Sequence, residues 1–256
     1  MRMASSKYPF RFYVFMMAVL ALSLAGCKAY TSYDKALREA EDVEKLVLSR
    51  QRIGVLPENI ARLANLKELR LFKSNLHELP ATIGGLDKLE ELVLSDNKLK
   101  ELPPEIGKLK NLKRLSLHHN QLTHLPKEIG NLENLEVLNL GFNKLDSIPQ
   151  EIIQLKKLKF LYLHQNQLTK LPFGLEYLQD LQMVNLERNY LNELPQSLSN
   201  LPNLLVLNVA YAGNGLEVPV GLCESLTLEE LIINSSVIVP GCFAVPGNRE
   251  LRIILK

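Results

Sequence analysis

The sequence contains no tryptophan, and aromatic residues make up only 6% of its 256 residues. Because 46% of the chain is nevertheless hydrophobic, the side chains that could form a core are mostly aliphatic. An excess of charge of one sign is also lacking, since 30 lysines and arginines face 28 aspartates and glutamates. Proteins that bind nucleic acids need a surplus of basic residues to contact phosphates, so this balance argues against that class.

Sequence motifs of catalysis are missing as well. The chain has no glycine-rich phosphate loop, no nucleophile elbow and no His-Glu-x-x-His zinc motif. His118 and His164, with His119 and Glu187 close to them in the repeat described below, are the candidates for a metal site, but zinc ligands normally have tighter spacing. We therefore expect solvated polar side chains here, and we predict a protein that is not an enzyme and that uses no metal or cofactor.

A hydrophobic run of membrane-spanning length is also absent. The longest apolar run, residues 12–24, follows a basic segment at residues 1–11, and it has the length of the apolar part of a signal peptide. It leads into the sequence Leu-Ala-Gly-Cys at residues 24–27, which resembles the lipobox of bacterial lipoproteins. That resemblance implies cleavage before Cys27 and the attachment of lipid to its thiol.

Residues 1–26 are accordingly predicted to be a signal peptide, and its removal takes away three basic residues and changes the formal net charge from +2 to −1. Acyl chains on Cys27 would anchor the protein stably in a membrane. Lys28 follows this cysteine, whereas an aspartate there would resemble an inner-membrane retention signal. We therefore expect the outer membrane or the cell surface. The alternative is an ordinary signal peptide that is cut elsewhere and leaves Cys27 without lipid.

What the sequence does have is a repeat of 23 residues. Val43 begins the first unit, and the next seven units begin with leucines at constant intervals: Leu66, Leu89, Leu112, Leu135, Leu158, Leu181 and Leu204. The units follow the pattern L-x-x-L-x-L-x-x-N-x-L-x-x-L-P-x-x-I-x-x-L-x-x, and an irregular ninth unit begins at Leu228. The period and the pattern resemble the leucine-rich repeat family in its bacterial 23-residue form.

This resemblance implies an α/β solenoid shaped like a horseshoe, with a parallel β-sheet on the concave side and turns and short helices on the convex side. The segment L-x-L alternates inward and outward, as a short strand requires. Proline after the last leucine of the pattern ends the extended segment. Gly84, Gly107 and Gly130 suit a tight exit from the convex turns.

One asparagine in each unit is expected to connect neighbouring coils. Its side-chain amide can donate and accept at once, so it can pair backbone groups that would otherwise be buried without a partner. The residues that form this column are Asn97, Asn120, Asn143, Asn166 and Asn189.

The two ends of the solenoid are expected to differ. Residues 27–42 are predicted to form an anchor linker and an N-terminal capping helix, residues 43–250 about nine coils, and residues 251–256 a terminal edge strand. An uncovered edge strand can pair with another chain, so a homodimer through it is one hypothesis. Cys223 and Cys242 lie in consecutive irregular coils, where they either form a disulfide or remain as two buried thiols.

Repeat solenoids bind their partners through exposed residues of the concave sheet. From the fifth to the eighth coil these positions become apolar and aromatic. We predict a partner-binding patch that consists of Val137, Phe142, Phe160, Tyr162, His164, Met183, Arg188, Val206 and Tyr211. The alternative is that these aromatic residues pack locally against neighbouring coils.

The capping segment and the first repeat also resemble the leucine-rich repeat lipoproteins of pathogenic spirochaetes. That resemblance implies a membrane-anchored adhesin or host-interaction lipoprotein that binds a protein ligand. A scaffold that faces the periplasm and binds no host ligand is the alternative, because a lipobox does not determine which side of the membrane the solenoid faces.

Overall fold

The computed structural model of the protein describes residues 28–244 and 251–256. The predicted signal peptide, its lipobox and Cys27 lie outside these ranges, as do residues 245–250. The described residues form one parallel sheet of eleven strands, in which each strand pairs with its neighbours in chain order. Within these ranges, no helix is long and apolar enough to cross a membrane.

The strands are short and recur with the period of the repeat. They are β1 (Ala29–Tyr30), β2 (Lys45–Val47), β3 (Glu68–Arg70), β4 (Glu91–Val93), β5 (Arg114–Ser116), β6 (Val137–Asn139), β7 (Phe160–Tyr162), β8 (Met183–Asn185), β9 (Val206–Asn208), β10 (Glu230–Ile233) and β11 (Arg252–Leu255). From β2 to β9, residues one repeat apart are opposite each other, as Leu115 and Leu138 are. The predicted α/β solenoid with a parallel sheet is therefore confirmed.

Short 3₁₀ turns form the opposite, convex side of each coil. They span Ala40–Asp42, Glu58–Arg62, Ala81–Gly85, Pro104–Lys108, Lys127–Asn131, Gln150–Gln154, Leu175–Tyr177, Gln196–Asn200, Val220–Glu224 and Gly241–Ala244. Proline stands directly before most of them, as Pro126 does with a φ of −66°. Since proline has a fixed φ and no amide hydrogen for a sheet, it ends the extended segment there.

The core is a continuous stack of aliphatic side chains between the sheet and the convex turns. In the fourth coil, counted from the repeat that begins at Val43, Leu115 and Leu117 point inward from the strand and Ile129 from the following turn, and all three are fully buried. A single coil cannot enclose these side chains, so each depends on the coils on both sides.

The N-terminal end of this core is covered by α1 (Tyr33–Arg38), whose Ala36 is fully buried. The side chain of Ser32 caps the helix by accepting a hydrogen bond from the backbone N–H of Lys35. Before the helix, β1 extends the sheet by pairing with β2. This additional strand was not predicted from the sequence.

The glycines of the convex turns have a different role from the one that the sequence indicated. Gly84, Gly107 and Gly130 lie inside the 3₁₀ turns, and none of them has a positive φ, so the interpretation as turn exits was wrong. A Cβ atom on Gly107 would lie 2.4 Å from the carbonyl oxygen of Glu128 in the next coil. Close approach between coils therefore requires glycine here.

At the C-terminal end, Cys223 and Cys242 form a disulfide, with Cα atoms 6.1 Å apart. It joins the last two convex turns, which was one of the two possibilities that the sequence left open. β11 pairs along its whole length with β10. Its Ile253, Ile254 and Leu255 are exposed, and no further strand of the described residues covers its outer edge.

Candidate binding surface

Each strand from β2 to β9 is followed by a turn in which one residue has a left-handed backbone. In eight successive coils this residue has a φ between 53° and 64°: Arg50, Lys73, Asp96, His119, Phe142, Gln165, Arg188 and Tyr211. Residues other than glycine rarely adopt this conformation. Here it is held by hydrogen bonds to the next coil, such as the one from the N–H of Phe142 to the carbonyl oxygen of His164.

The asparagine column lies beneath these turns. Oδ1 of Asn143 accepts a hydrogen bond from the N–H of Leu122, and its Nδ2 donates to the carbonyl oxygens of Leu117 and Leu140, each over 3.0 Å. The same bonds recur at Asn97, Asn120, Asn166 and Asn189. Because the asparagine column fixes the turns, the side chains of the turns are held in place before a partner binds.

A series of ion pairs connects neighbouring strands across the N-terminal half of the concave face. Lys45 lies 2.9 Å from Glu68, Arg70 contacts both Glu68 and Glu91, and Arg114 contacts Glu91. The two glutamates are only 3% and 6% exposed. Their carboxylates are therefore already paired with cations of the same chain. The sequence indicated a mixed charged surface here but not this network.

The middle of the concave face carries a cluster of aromatic rings. The ring centroids of His118 and Phe142 are 4.9 Å apart, those of Phe142 and His164 are 5.3 Å apart, and those of His118 and His164 are 5.9 Å apart. The Tyr162 ring lies 6.5 Å from that of His164. Several of these pairs are edge-to-face, which is a favourable geometry for aromatic contacts.

Gly141 explains why these rings can meet. It lies on the coil between His118 and His164, whose backbones are two strand spacings, or roughly 10 Å, apart. A Cβ atom on Gly141 would lie 2.3 Å from Cε1 of His164, so only glycine leaves room for the imidazole. Sequence reasoning missed Gly141, although a glycine between two histidines in one repeat column was a visible signal.

The environment of the cluster keeps its imidazoles neutral. Burial lowers the pKa of His164 to about 4, and burial also lowers the pKa of His118, so both are uncharged at pH 7. Nδ1 of His164 is buried and has no hydrogen-bond partner among the described residues. Across residues 28–244 and 251–256, no three histidine, cysteine or acidic side chains are placed to hold a metal ion.

Glu187, which follows β8 in the coil next to that of His164, is ionised. Burial raises the pKa of Glu187, but hydrogen bonds from Lys256 and Asn208 outweigh this effect and lower the pKa below its ordinary value. Lys256 extends from the end of β11 to make this contact. The carboxylate is thus already paired within the chain.

The predicted patch residues differ in exposure. Phe142, Arg188 and Tyr211 are exposed on the left-handed turns, and Cζ of Arg188 lies 6.0 Å from the Tyr211 ring centroid. Five others are half-buried on the strands or directly after them: Val137, Phe160, Tyr162, His164 and Val206. Met183 is only 7% exposed, which corrects the expectation that it lies on the surface. It is opposite Phe160 on β7 and Val206 on β9, whose side chains flank it on both sides.

Comparisons with known proteins agree with this geometry. A family model described as a leucine-rich repeat region matches residues 15–122 and 105–169. A solved leucine-rich repeat protein from Leptospira interrogans is 36% identical, with a TM-score of 0.71, and the match covers 84% of this chain and 61% of that one. No curated protein matches significantly.

Two plant structures are also similar. The ectodomain of the receptor kinase GASSHO1/SCHENGEN3 from Arabidopsis thaliana, in complex with CASPARIAN STRIP INTEGRITY FACTOR 2, is 28% identical with a TM-score of 0.66, and the match covers 84% of this chain and 29% of that chain. The PEPR1 structure with AtPEP1 is 27% identical with a TM-score of 0.64, with coverage of 76% and 30%. The chain thus spans less than two thirds of the length of each of these proteins.

Proposed function

Because the chain belongs to the leucine-rich repeat family, we propose that it is a binding protein that holds a protein ligand on the C-terminal half of its concave face. The observation that carries this proposal is the partly exposed aromatic cluster around Phe142 and Tyr162, on a sheet whose other half is covered by its own ion pairs. Aromatic side chains beside an arginine are typical of the residues that contribute most to protein interfaces.

Two further points support a binding role. The asparagine column holds the turns rigid, so little conformational freedom is lost when a ligand binds. The similar structures of GASSHO1/SCHENGEN3 and PEPR1 are complexes with CASPARIAN STRIP INTEGRITY FACTOR 2 and AtPEP1. The proposed role needs no catalytic group, and we assign His118 and His164 to packing and contact.

The proposal is tested by affinity capture with the soluble form, residues 28–256. We expect the wild type to retain a protein ligand that the variant Phe160→Ala/Tyr162→Ala retains at least about tenfold less well, since two central aromatic contacts are lost. Lys108→Ala/Lys127→Ala, on the convex turns, is the matched control and is expected to behave as the wild type does. Equal capture by all three proteins, each folded by circular dichroism, would refute the proposed surface.

We further propose that the solenoid is attached through lipid on Cys27 to the outer membrane or the cell surface, where it acts as an adhesin or another host-interaction lipoprotein. A periplasmic scaffold is the second candidate, and protease treatment of intact cells distinguishes the two. In either place the exposed outer edge of β11 could pair with a second copy, and light scattering of the purified protein tests that homodimer.

Replacing the lipidated cysteine tests the anchor. Cys27→Ser is expected to leave an uncleaved precursor without lipid, because processing requires the thiol. Intact-mass measurement and metabolic labelling with palmitate report both steps. Lys28→Ala, which leaves the lipobox unchanged, is expected to be processed and labelled normally. Normal cleavage and labelling of the serine variant would show that the assignment is wrong.

A further inference from the structure

The left-handed turns form a basic edge of the solenoid, which we name the turn ridge. It consists of the left-handed residue in each of the eight turns and the residue two positions further along the chain. Six of its residues are cationic: Arg50, Arg52, Lys73, Lys98, Lys144 and Arg188. Its acidic residue, Asp96, is 2.5 Å from Nδ1 of His119.

The six cations are exposed, and none forms an ion pair with a carboxylate of the described residues. Elsewhere the repeat pairs such charges: Lys113 bonds to Glu90 and Lys159 bonds to Glu136, each one repeat away. The carboxylates of the neighbouring concave face are also occupied, as Glu91 and Glu187 are. The ridge therefore has positive charge that a partner can neutralise.

Aromatic side chains occupy the C-terminal half of the same ridge. Phe142, Tyr190 and Tyr211 are 38%, 67% and 46% exposed. They are continuous with the aromatic cluster of the concave face, because the Phe142 ring contacts those of both His118 and His164. The ridge thus changes from mostly cationic in the first three coils, where Asp96 bonds to His119, to aromatic with single cations in the fifth and seventh.

We propose that the turn ridge binds an extended segment of the partner protein in which acidic residues are followed, or preceded, by aromatic or other apolar residues. This inference rests on the proposed function and specifies the chemistry of the ligand. Eight coils at about 4.8 Å span about 34 Å, which an extended chain covers with about ten residues. The acidic part lies opposite Arg50, Lys73 and Lys98, and the apolar part opposite Phe142 and Tyr211.

The distribution of charge favours a polypeptide over a uniform polyanion. A sulfated polysaccharide or a nucleic acid has negative charge at each unit along its length, and it is bound best by cations along the whole contact. The fourth, sixth and eighth coils have only uncharged or histidine side chains on the ridge: His119, Gln121, Gln165, Gln167, Tyr211 and Gly213. A protein segment can match this pattern, since its charged and apolar residues can be placed independently.

The experiment measures binding of the soluble form to three defined probes by biolayer interferometry: a random copolymer of glutamate and tyrosine, polyglutamate, and heparin. We expect the copolymer to bind most tightly. Arg50→Gln/Lys73→Gln/Lys98→Gln is expected to weaken that binding about tenfold, because three favourable charge contacts are lost. Lys35→Gln/Lys108→Gln/Lys127→Gln changes the net charge equally on α1 and the convex turns, and it is expected to leave binding unchanged.

Three results would overturn the inference. Tighter binding of heparin than of the copolymer would identify a site for uniform polyanions. Equal weakening in both triple variants would show a non-specific effect of net charge. Since the probes replace the natural ligand, this outcome is separable from that of the capture experiment. If the copolymer does not bind but capture depends on Phe160 and Tyr162, the inferred acidic segment of the ligand is wrong, whereas the proposed concave binding surface is not affected.

Discussion

Gly107→Ala is expected to lower the free energy of unfolding by about 2–3 kcal/mol. The added methyl group would lie 2.4 Å from the carbonyl oxygen and 2.8 Å from Cβ of Glu128, so the backbone of the next coil has to move. Since the coils stack directly on each other, such a shift is passed on to the fifth coil and to the core leucines beneath it. Urea denaturation followed by circular dichroism measures the change.

Gly85→Ala is the matched control, because Gly85 also lies in a 3₁₀ turn but is exposed. Its added Cβ would meet only the side chain of Ala61, at 3.3 Å. We expect a change of less than about 1 kcal/mol, in either direction, since the alanine also restricts the unfolded chain. If both variants lose the same stability, close contact between coils is not the reason for the glycines.

Asn143→Ala is expected to cost about 2–3 kcal/mol, an effect of similar size with a different cause. The substitution leaves the N–H of Leu122 and the carbonyl oxygens of Leu117 and Leu140 with one hydrogen bond fewer each. These groups are buried, so water cannot replace the amide. The same urea titration gives the free energy of unfolding.

Asn134→Ala provides the comparison for this prediction. Asn134 also bridges two coils, by donating to the carbonyl oxygen of Lys110, but that bond is exposed to solvent. Its loss is expected to cost less than about 1 kcal/mol, because water can take the place of the side chain. A decrease in the free energy of unfolding of less than about 0.3 kcal/mol for Asn143→Ala would contradict the role given to the asparagine column.

The architecture could be predicted because one rule is repeated in every coil. A constant period of 23 residues places Leu115 opposite Leu138 and puts each inward leucine over the previous one. The short strands, the convex turns and the parallel order of the sheet all follow from that register. The asparagine column could be recognised for the same reason, since its members occupy one position of the repeat.

Contacts that depend on the identity of side chains in different coils could not be predicted in the same way. The ion pairs of Arg70 with Glu68 and Glu91 depend on which conformer a long side chain adopts. The position of His164 depends on the missing side chain of Gly141. Exposure was also misjudged at Met183, because alternation along a strand does not show how far the neighbouring strands cover a side chain.

The convex side shows a further departure from the repeat. Ile153 occupies the position of Gly84, Gly107 and Gly130 in the fifth coil, so the next coil cannot approach there as closely. That coil has Gly174 opposite the isoleucine, with a φ of 80°, and a Cβ on it would lie 3.5 Å from Cδ1 of Ile153. The positive φ of Gly174, rather than the contact with Ile153, is what favours glycine in this coil. The turn that follows, Leu175–Tyr177, is correspondingly short.

The concave face thus has two halves with different chemistry. The first half uses the carboxylates of Glu68 and Glu91 to neutralise its own cations, and a ligand gains little by competing with these ion pairs. The second half exposes aromatic rings around Phe142 and keeps its histidines uncharged. On the concave sheet itself, contact with a partner is therefore expected at β6 to β9.

Site-specific photo-cross-linking tests this location most directly. A photoreactive phenylalanine analogue is placed at position 162 on the concave sheet and, in a second protein, at position 127 on a convex turn. Irradiation in the presence of the captured ligand is expected to cross-link it to position 162 and not to position 127. Cross-linking at position 127 alone would show that the ligand binds the convex side, and it would contradict a concave binding surface.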